Sequence, residues 1–344
     1  MLFIYVFYDI SGNIAYMKNF FNIIHGANPE NLYRAFNITI PQKIIDFSTN
    51  TNILTWSGFE IDIENLASNY PDSDCKKLRK LISEREKISP ERILFTNGIN
   101  EAIFLLANLK MSEETAIFQP CYSEYSRAFR NAENIFNLEE AGNFKNFIIT
   151  NPNNPNGIYT KNLSLILKKF PETFFIIDEA YIDFLIHDEP ERLCDFKNAI
   201  ILRSLTKIFH LSGVRIGYVI ADEKIIEALK NLQPTWSVNA VAQELAWNFL
   251  NDKTFYDETK NFYKKHTPEF IEKLRHAGFE IENSSVHYFL LKADCDFDLI
   301  KNLLKFGIVV RHTRNFPGLD GKYIRIATRF SDENDFLIQT LDKI

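Results

Sequence analysis

Cysteine is scarce in this chain of 344 residues, and the four present do not cluster. Cys75, Cys121, Cys194 and Cys295 lie far apart with no C-x-x-C spacing. That argues against a disulfide framework or a zinc site and fits reduced thiols in the cytoplasm, where the chain is expected to work. The seven histidines form no H-x-x-x-H pair, so no metal is expected. Positive charge is not in excess either. Thirty-nine Lys and Arg against 45 Asp and Glu leave a net charge of -6, which offers no basic field to nucleic acid. The opening "MLFIYVFYDISGNIAYM" is apolar and aromatic, but it falls short of the roughly 18–20 residues of a membrane span. It also lacks the basic leading region and small-residue cleavage site of a signal peptide. It reads as an upstream extension, with Met17 as an alternative start, or as an arm packed on a partner subunit.

What is present is an ordinary globular composition, 46% hydrophobic, long enough for one large domain and a smaller one. The 31 Phe, with many Asn, Ile and Lys, read as genomic base bias. The middle of the chain alternates short β-rich runs with helical patterns. "RILFT" (92–96), "TAIFQP" (115–120), "FIIT" (147–150), "TFFIID" (173–178), "AIILRS" (199–204) and "GYVIA" (217–221) are the candidate strands. Runs this apolar are too dense to alternate and suit strands covered on both faces. Their alternation with helices predicts an α/β fold with a mostly parallel, doubly wound sheet, whose ligands sit outside the strands' carboxyl ends. From about residue 235 long helical stretches lead to "HYFLLKA", "IVVRH" and "KYIRIAT", a smaller α+β unit. The expected division is an N-terminal arm at 1–44 joining the small domain, a large domain at 45–234, and the small domain at 235–344.

Four segments follow strands and carry unusual chemistry. In "FFIIDEAYIDF" Asp178 ends a buried strand, and a buried carboxylate needs a cationic or donor partner. It reads either as a helix cap or as the partner of a protonated ring nitrogen, with Tyr181 beside it. Asp183 reads as a surface or capping carboxylate. "NPNNPNG" (151–157) is a rigid turn that would hold Asn154 at the sheet edge, or a plain loop. "TNGINEAI" (96–103) puts Gly98 and the following amides at a helix start, an arrangement suited to phosphate. "SLTKIFHLSGVRIGY" (204–218) holds Ser204, Thr206, Lys207 and Arg215 together: two hydroxyls and a guanidinium for a phosphate, and an amine that can form a Schiff base.

Taken in order, S-x-T-K, G-x-R-x-G-Y, D-E-A-Y and N-P-N-N-P-x-G resemble the fold-type I pyridoxal-phosphate enzymes. The chain is most similar to the branch holding histidinol-phosphate aminotransferase and L-threonine-O-3-phosphate decarboxylase, over about residue 22 to the end. The resemblance implies pyridoxal 5'-phosphate as cofactor, with Lys207 as its Schiff-base lysine and Asp178 on the pyridine nitrogen. It implies Asn154 and Tyr181 on the ring oxygen and Tyr122 against the ring face. Gly98, Ile99, Asn100, Ser204, Thr206 and Arg215 would hold the cofactor phosphate. Tyr70, in "SNYPDSD", would reach the neighbouring subunit's cofactor, which implies a homodimer with shared sites.

"IIHGAN" (23–28), "QPTWSVNAVAQ" (233–243) and the arginine block at 309–329 resemble the decarboxylase more closely. They imply substrate contacts from His25, Gly26, Asn154, Arg311 and Arg325, with Arg325 on the carboxylate and Arg311 and His25 on a substrate phosphate. Ala27 stands where the family has a second glycine, and Asn156 where it usually has threonine. The implied reaction is decarboxylation of O-phospho-L-serine or O-phospho-L-threonine to the amino-alcohol phosphate and carbon dioxide. Transamination of histidinol phosphate, or of a similar phosphorylated amine, is the alternative. A gene regulator built on this fold would need a DNA-binding module, for which the arm before His25 has no room. The expected partners are thus a phosphorylated small molecule and a second copy of the chain, without nucleic acid or membrane.

Overall fold

Strand order explains why the distinctive residues gather at one edge. The computed structural model describes residue 26 and residues 28–56, 58–111 and 113–344. His25, Ala27 and the leading segment lie outside the described residues. Among the described residues twelve strands run in chain order: β1 Ile45–Asp46, β2 Ile93–Thr96, β3 Thr115–Phe118, β4 Glu133–Ile135, β5 Asn146–Thr150, β6 Phe174–Asp178, β7 Ala199–Ser204, β8 Gly217–Ile220, β9 Tyr288–Lys292, β10 Ile308–Val309, β11 Arg311–His312 and β12 Tyr323–Ala327. Seven form the large sheet, in the order β2-β8-β7-β6-β5-β3-β4. Strands β7, β6, β5, β3 and β4 are parallel, and β8 is antiparallel to both β7 and β2.

The expected apolar runs are the buried strands. All five residues of β5 are buried, and so are Phe175, Ile176, Ile177 and Asp178 of β6. Both faces are covered, which is why these runs do not alternate. β8 is antiparallel to β7, and residues 205–216 between them include the single-turn helix Leu205–Ile208. β4 has no apolar run: of Glu133, Asn134 and Ile135 only Ile135 is buried. It is a short edge strand held by pairing with β3 rather than by its own pattern.

Register brings the strand ends level. Thr96 and Ser204 both pair with Gly217, while Asp178 pairs with Thr150 and Leu202. The turns after β2, β3, β5, β6 and β7 therefore open on one side of the sheet. The second unit is an antiparallel sheet, β11-β12-β9, beside the parallel pair β1-β10. Two hydrophobic clusters underlie the architecture. The larger fills the seven-stranded sheet and takes in Ala242, Phe249 and Tyr263 from the following helices. The smaller joins Tyr33 and Phe47 to Phe289, Val309 and Ile324. Among the described residues no helix is long and apolar enough to cross a membrane.

Candidate active site

One pocket lies between the two units, at the carboxyl edge of the large sheet. It is lined by thirteen of the residues singled out from sequence: Gly26, Ile99, Asn100, Tyr122, Asn154, Asp178, Tyr181, Ser204, Thr206, Lys207, Arg215, Arg311 and Arg325. Gly98 lies just beneath. Its φ is +69°, and a Cβ there would sit 2.5 Å from the Arg215 guanidinium, so this glycine is what lets the guanidinium lie over the helix start. Ser204 Oγ and Thr206 Oγ1 are 2.7 Å apart. The amides opening helix Gly98–Leu106, two hydroxyls and Arg215 make up a cradle whose donors suit a phosphate.

Asp178 is buried at the end of β6. Its Oδ2 accepts from Tyr125 Oη at 2.8 Å, and Oδ1 from the Ala180 amide at 2.9 Å. Burial pushes the carboxyl up to about 6, against the pull of these donors and of Lys207. Lys207 stands on the single-turn helix Leu205–Ile208, with Nζ 5.9 Å from the centre of the Tyr181 ring. Burial, then the positive charges of Arg325 and Arg215, push its amine down to about 8. A carboxylate that gains from a cation and an amine that sheds its proton readily thus face one cavity. Their donor set fits a pyridine ring carrying an aldehyde and a phosphate.

Asn154 Oδ1 accepts from Arg325 Nη1 at 2.5 Å, which fixes the amide so that its nitrogen is the free donor. Tyr181 is buried beneath, with its phenol pushed up by desolvation, and meets Tyr288 edge-on at 4.8 Å. Tyr122 begins helix Ser123–Ala128 and donates to Asn100 Oδ1 at 3.3 Å. A Cβ on Gly26 would lie 3.1 Å from Ser48 O and 3.3 Å from Arg311 Cδ, so a larger residue there would crowd the arginine.

Arg311 and Arg325 are direct cross-strand partners on β11 and β12, 4% and 5% exposed. Like charges placed opposite each other in a sheet repel, and here both are desolvated. Burial and then Arg325 push the Arg311 guanidinium down to about 9. Arg325 donates to Asn154 Oδ1 and to Ser48 O at 2.5 Å, both neutral, and its buried Nε has no hydrogen-bond partner among the described residues. Two enclosed guanidiniums side by side have the chemistry to receive an anion.

Tyr70 is not in this pocket. It is 81% exposed and stacks on Trp236 with ring centres 4.4 Å apart. Asp183 accepts from Tyr256 Oη at 2.9 Å, away from the cavity. Sequence reading also missed the strap Ser48–Thr51, Thr150 and Phe316, which line the pocket, and Tyr125, which holds Asp178. The signal available for the strap was a run of small polar residues directly after a short apolar stretch.

The model of the family described as aminotransferase class I and II matches residues 133–340. The chain belongs to that family. Pyridoxal phosphate is its cofactor, and the fold is the fold-type I one. A threonine-phosphate decarboxylase of Salmonella typhimurium is 29% identical, over 94% of this chain and 97% of its own length. An adenosylcobalamin biosynthesis bifunctional protein, CobDQ, of Leptospira interrogans is also 29% identical; the match covers 93% of this chain but spans only 41% of that longer protein. The crystal structure of the histidinol-phosphate aminotransferase from Clostridium acetobutylicum superposes with a TM-score of 0.78 at 28% identity, covering 87% of this chain and 98% of that one.

The depressed lysine gives a direct expectation. Reaction of the apoprotein's Lys207 with an aldehyde needs the neutral amine, so its rate should rise with pH and level off above about 8 rather than above the ordinary 10.5. Timed borohydride trapping with peptide mapping measures this profile. In Arg325→Ala, which removes a repelling charge, the profile should move to higher pH.

Proposed function

We propose that this protein is a pyridoxal-phosphate-dependent decarboxylase of a β-phosphorylated L-amino acid, O-phospho-L-serine or O-phospho-L-threonine. The observation that carries this reading is the buried cross-strand pair Arg311 and Arg325, whose two guanidiniums suit a ligand bearing two anionic groups. The similarity to a threonine-phosphate decarboxylase over nearly the whole of both chains supports it.

In this reading Asp178 would pair with the cofactor's ring nitrogen. Asn154 and Tyr181 would serve its ring oxygen, and Tyr122 its ring face. Gly98, Ile99, Asn100, Ser204, Thr206 and Arg215 would hold its phosphate, and Lys207 would supply the amine for its aldehyde. When bound, the cofactor supplies an electron sink for the pair left when a bond at the substrate's Cα breaks. Arg325 orients the substrate carboxylate, so that the Cα–carboxyl bond stands where breakage is assisted. Arg311, with His25 and Gly26, holds the substrate phosphate. Once carbon dioxide has left, Lys207 Nζ delivers a proton to Cα.

Phosphate dependence tests the anion pair. O-phospho-L-threonine should release carbon dioxide, and unphosphorylated L-threonine should do so about 30-fold or more slowly at the same concentration, because the charge-assisted contact of the substrate phosphate with Arg311 is then lost. Equal rates with both compounds would contradict the assigned phosphate site.

The active unit in this reading is a homodimer in which Tyr70 serves the opposite subunit. Mixing inactive Lys207→Ala with inactive Tyr70→Ala should restore activity, because hybrid dimers hold one intact site. No recovery despite verified subunit exchange would count against shared sites.

A further inference from the structure

The single-turn helix Leu205–Ile208 is too short to satisfy its own carbonyls. Two of them accept from one residue far away in sequence, although Lys207 O also accepts from the His210 amide at 3.4 Å. The Asn52 amide donates to Lys207 O at 2.9 Å, and Asn52 Nδ2 donates to Ile208 O at 2.9 Å. The second donor interaction of Nδ2 goes to Thr259 Oγ1 at 2.8 Å, on helix Lys253–His276, while Oδ1 accepts from the Leu54 amide at 3.0 Å. His210 Nδ1 lies against Asn52 O. Asn52 and Thr259 are both fully buried. Every donor of this amide is therefore used, and no apolar residue could replace it without leaving the Ile208 carbonyl buried and unpaired.

Asn52 also ends the strap that begins at Ser48, whose carbonyl receives Arg325 Nη2. One short segment thus touches the lysine's turn at one end and the buried arginine at the other, and lines the pocket between them. We propose that Asn52 is a positioning residue for Lys207: it clamps the turn carrying the lysine to the Ser48–Asn52 strap, so that the amine and Arg325 hold a fixed relation across the pocket. This rests on Lys207 being the reactive amine of the reading above.

The test is the rate at which the apoprotein's Lys207 is captured by pyridoxal 5'-phosphate, trapped with borohydride and read by peptide mass spectrometry. It uses no substrate, so it is independent of which reaction the enzyme performs. Asn52→Leu keeps the volume without the side-chain donors, and Asn52→Ala removes the side chain; both keep the backbone bond to Lys207 O and lose the bond to Ile208 O. Thr259→Val removes only the remote partner and leaves both carbonyl bonds intact. In variants with a native circular-dichroism spectrum, capture should fall about ten-fold or more in either Asn52 variant and less than about three-fold in Thr259→Val, because displacement of a reacting group slows reaction steeply. With substrate, kcat should fall while KM stays nearly unchanged. Wild-type capture in a folded Asn52 variant would overturn the proposal. So would a loss in Thr259→Val equal to that in Asn52→Ala, which would make the effect one of general packing.

Discussion

Replacing Lys207 with alanine is expected to leave a folded protein that no longer holds pyridoxal phosphate covalently and turns over about 10²–10⁴-fold more slowly. The charge of Lys207 pulls the Asp178 carboxyl down, and burial together with Arg325 and Arg215 holds the amine down to about 8, where its neutral form is plentiful. No other lysine lines the pocket among the described residues. Borohydride followed by peptide mapping should find the pyridoxyl group on Lys207 in the wild type and on no residue of the variant. A label on a different lysine in the wild type would overturn the assignment. Thermal unfolding checks that the variant is intact, and stability should rise slightly at neutral pH because a buried, partly charged amine is gone.

The second large effect belongs to Arg325. Its guanidinium is buried at the pocket wall, fixed by Asn154 Oδ1 and Ser48 O, with no hydrogen-bond partner for Nε among the described residues. Arg325→Ala is expected to lower kcat/KM by about 30-fold or more, the effect of losing one member of a buried charge pair. Most of the loss should lie in kcat, since the carboxylate's orientation decides which bond breaks. Arg311→Ala should lose mainly in KM for the phosphorylated substrate. If the two variants lose kcat and KM in the same proportion, the division of labour between carboxylate and phosphate ends is wrong.

The parts legible in the sequence are those governed by local pattern. β5, β6 and β7 announce themselves as dense apolar runs, and Asp178, Lys207 and Asn154 stand out because polar residues directly after such runs must lie at the sheet's edge. β4 escaped because Glu133 and Asn134 are exposed and only Ile135 enters the core. The strap Ser48–Asn52 escaped because its burial is a tertiary event: "STNTN" reads as a turn until helix Lys253–His276 and the single-turn helix carrying Lys207 close over it. Sequence reading required a donor for Asp178 but could not say that it would be Tyr125, which depends on how helix Ser123–Ala128 packs. Arg311 and Arg325 were each expected at the substrate end. That they face one another depends on the register of β11 against β12, which no local pattern encodes. The strongest argument for a doubly anionic ligand was therefore visible only in three dimensions.

The central claim, decarboxylation of a β-phosphorylated amino acid, is tested most directly by the fate of the substrate's carboxyl carbon. Purified holoenzyme would be given carboxyl-labelled O-phospho-L-threonine and O-phospho-L-serine, and separately histidinol phosphate with 2-oxoglutarate. Labelled carbon dioxide and the matching amino-alcohol phosphate, in equal amounts and without an added keto acid, are the expected result for at least one phospho-amino acid. No labelled carbon dioxide from either, together with glutamate formed from histidinol phosphate and 2-oxoglutarate, would contradict it and make the protein an aminotransferase.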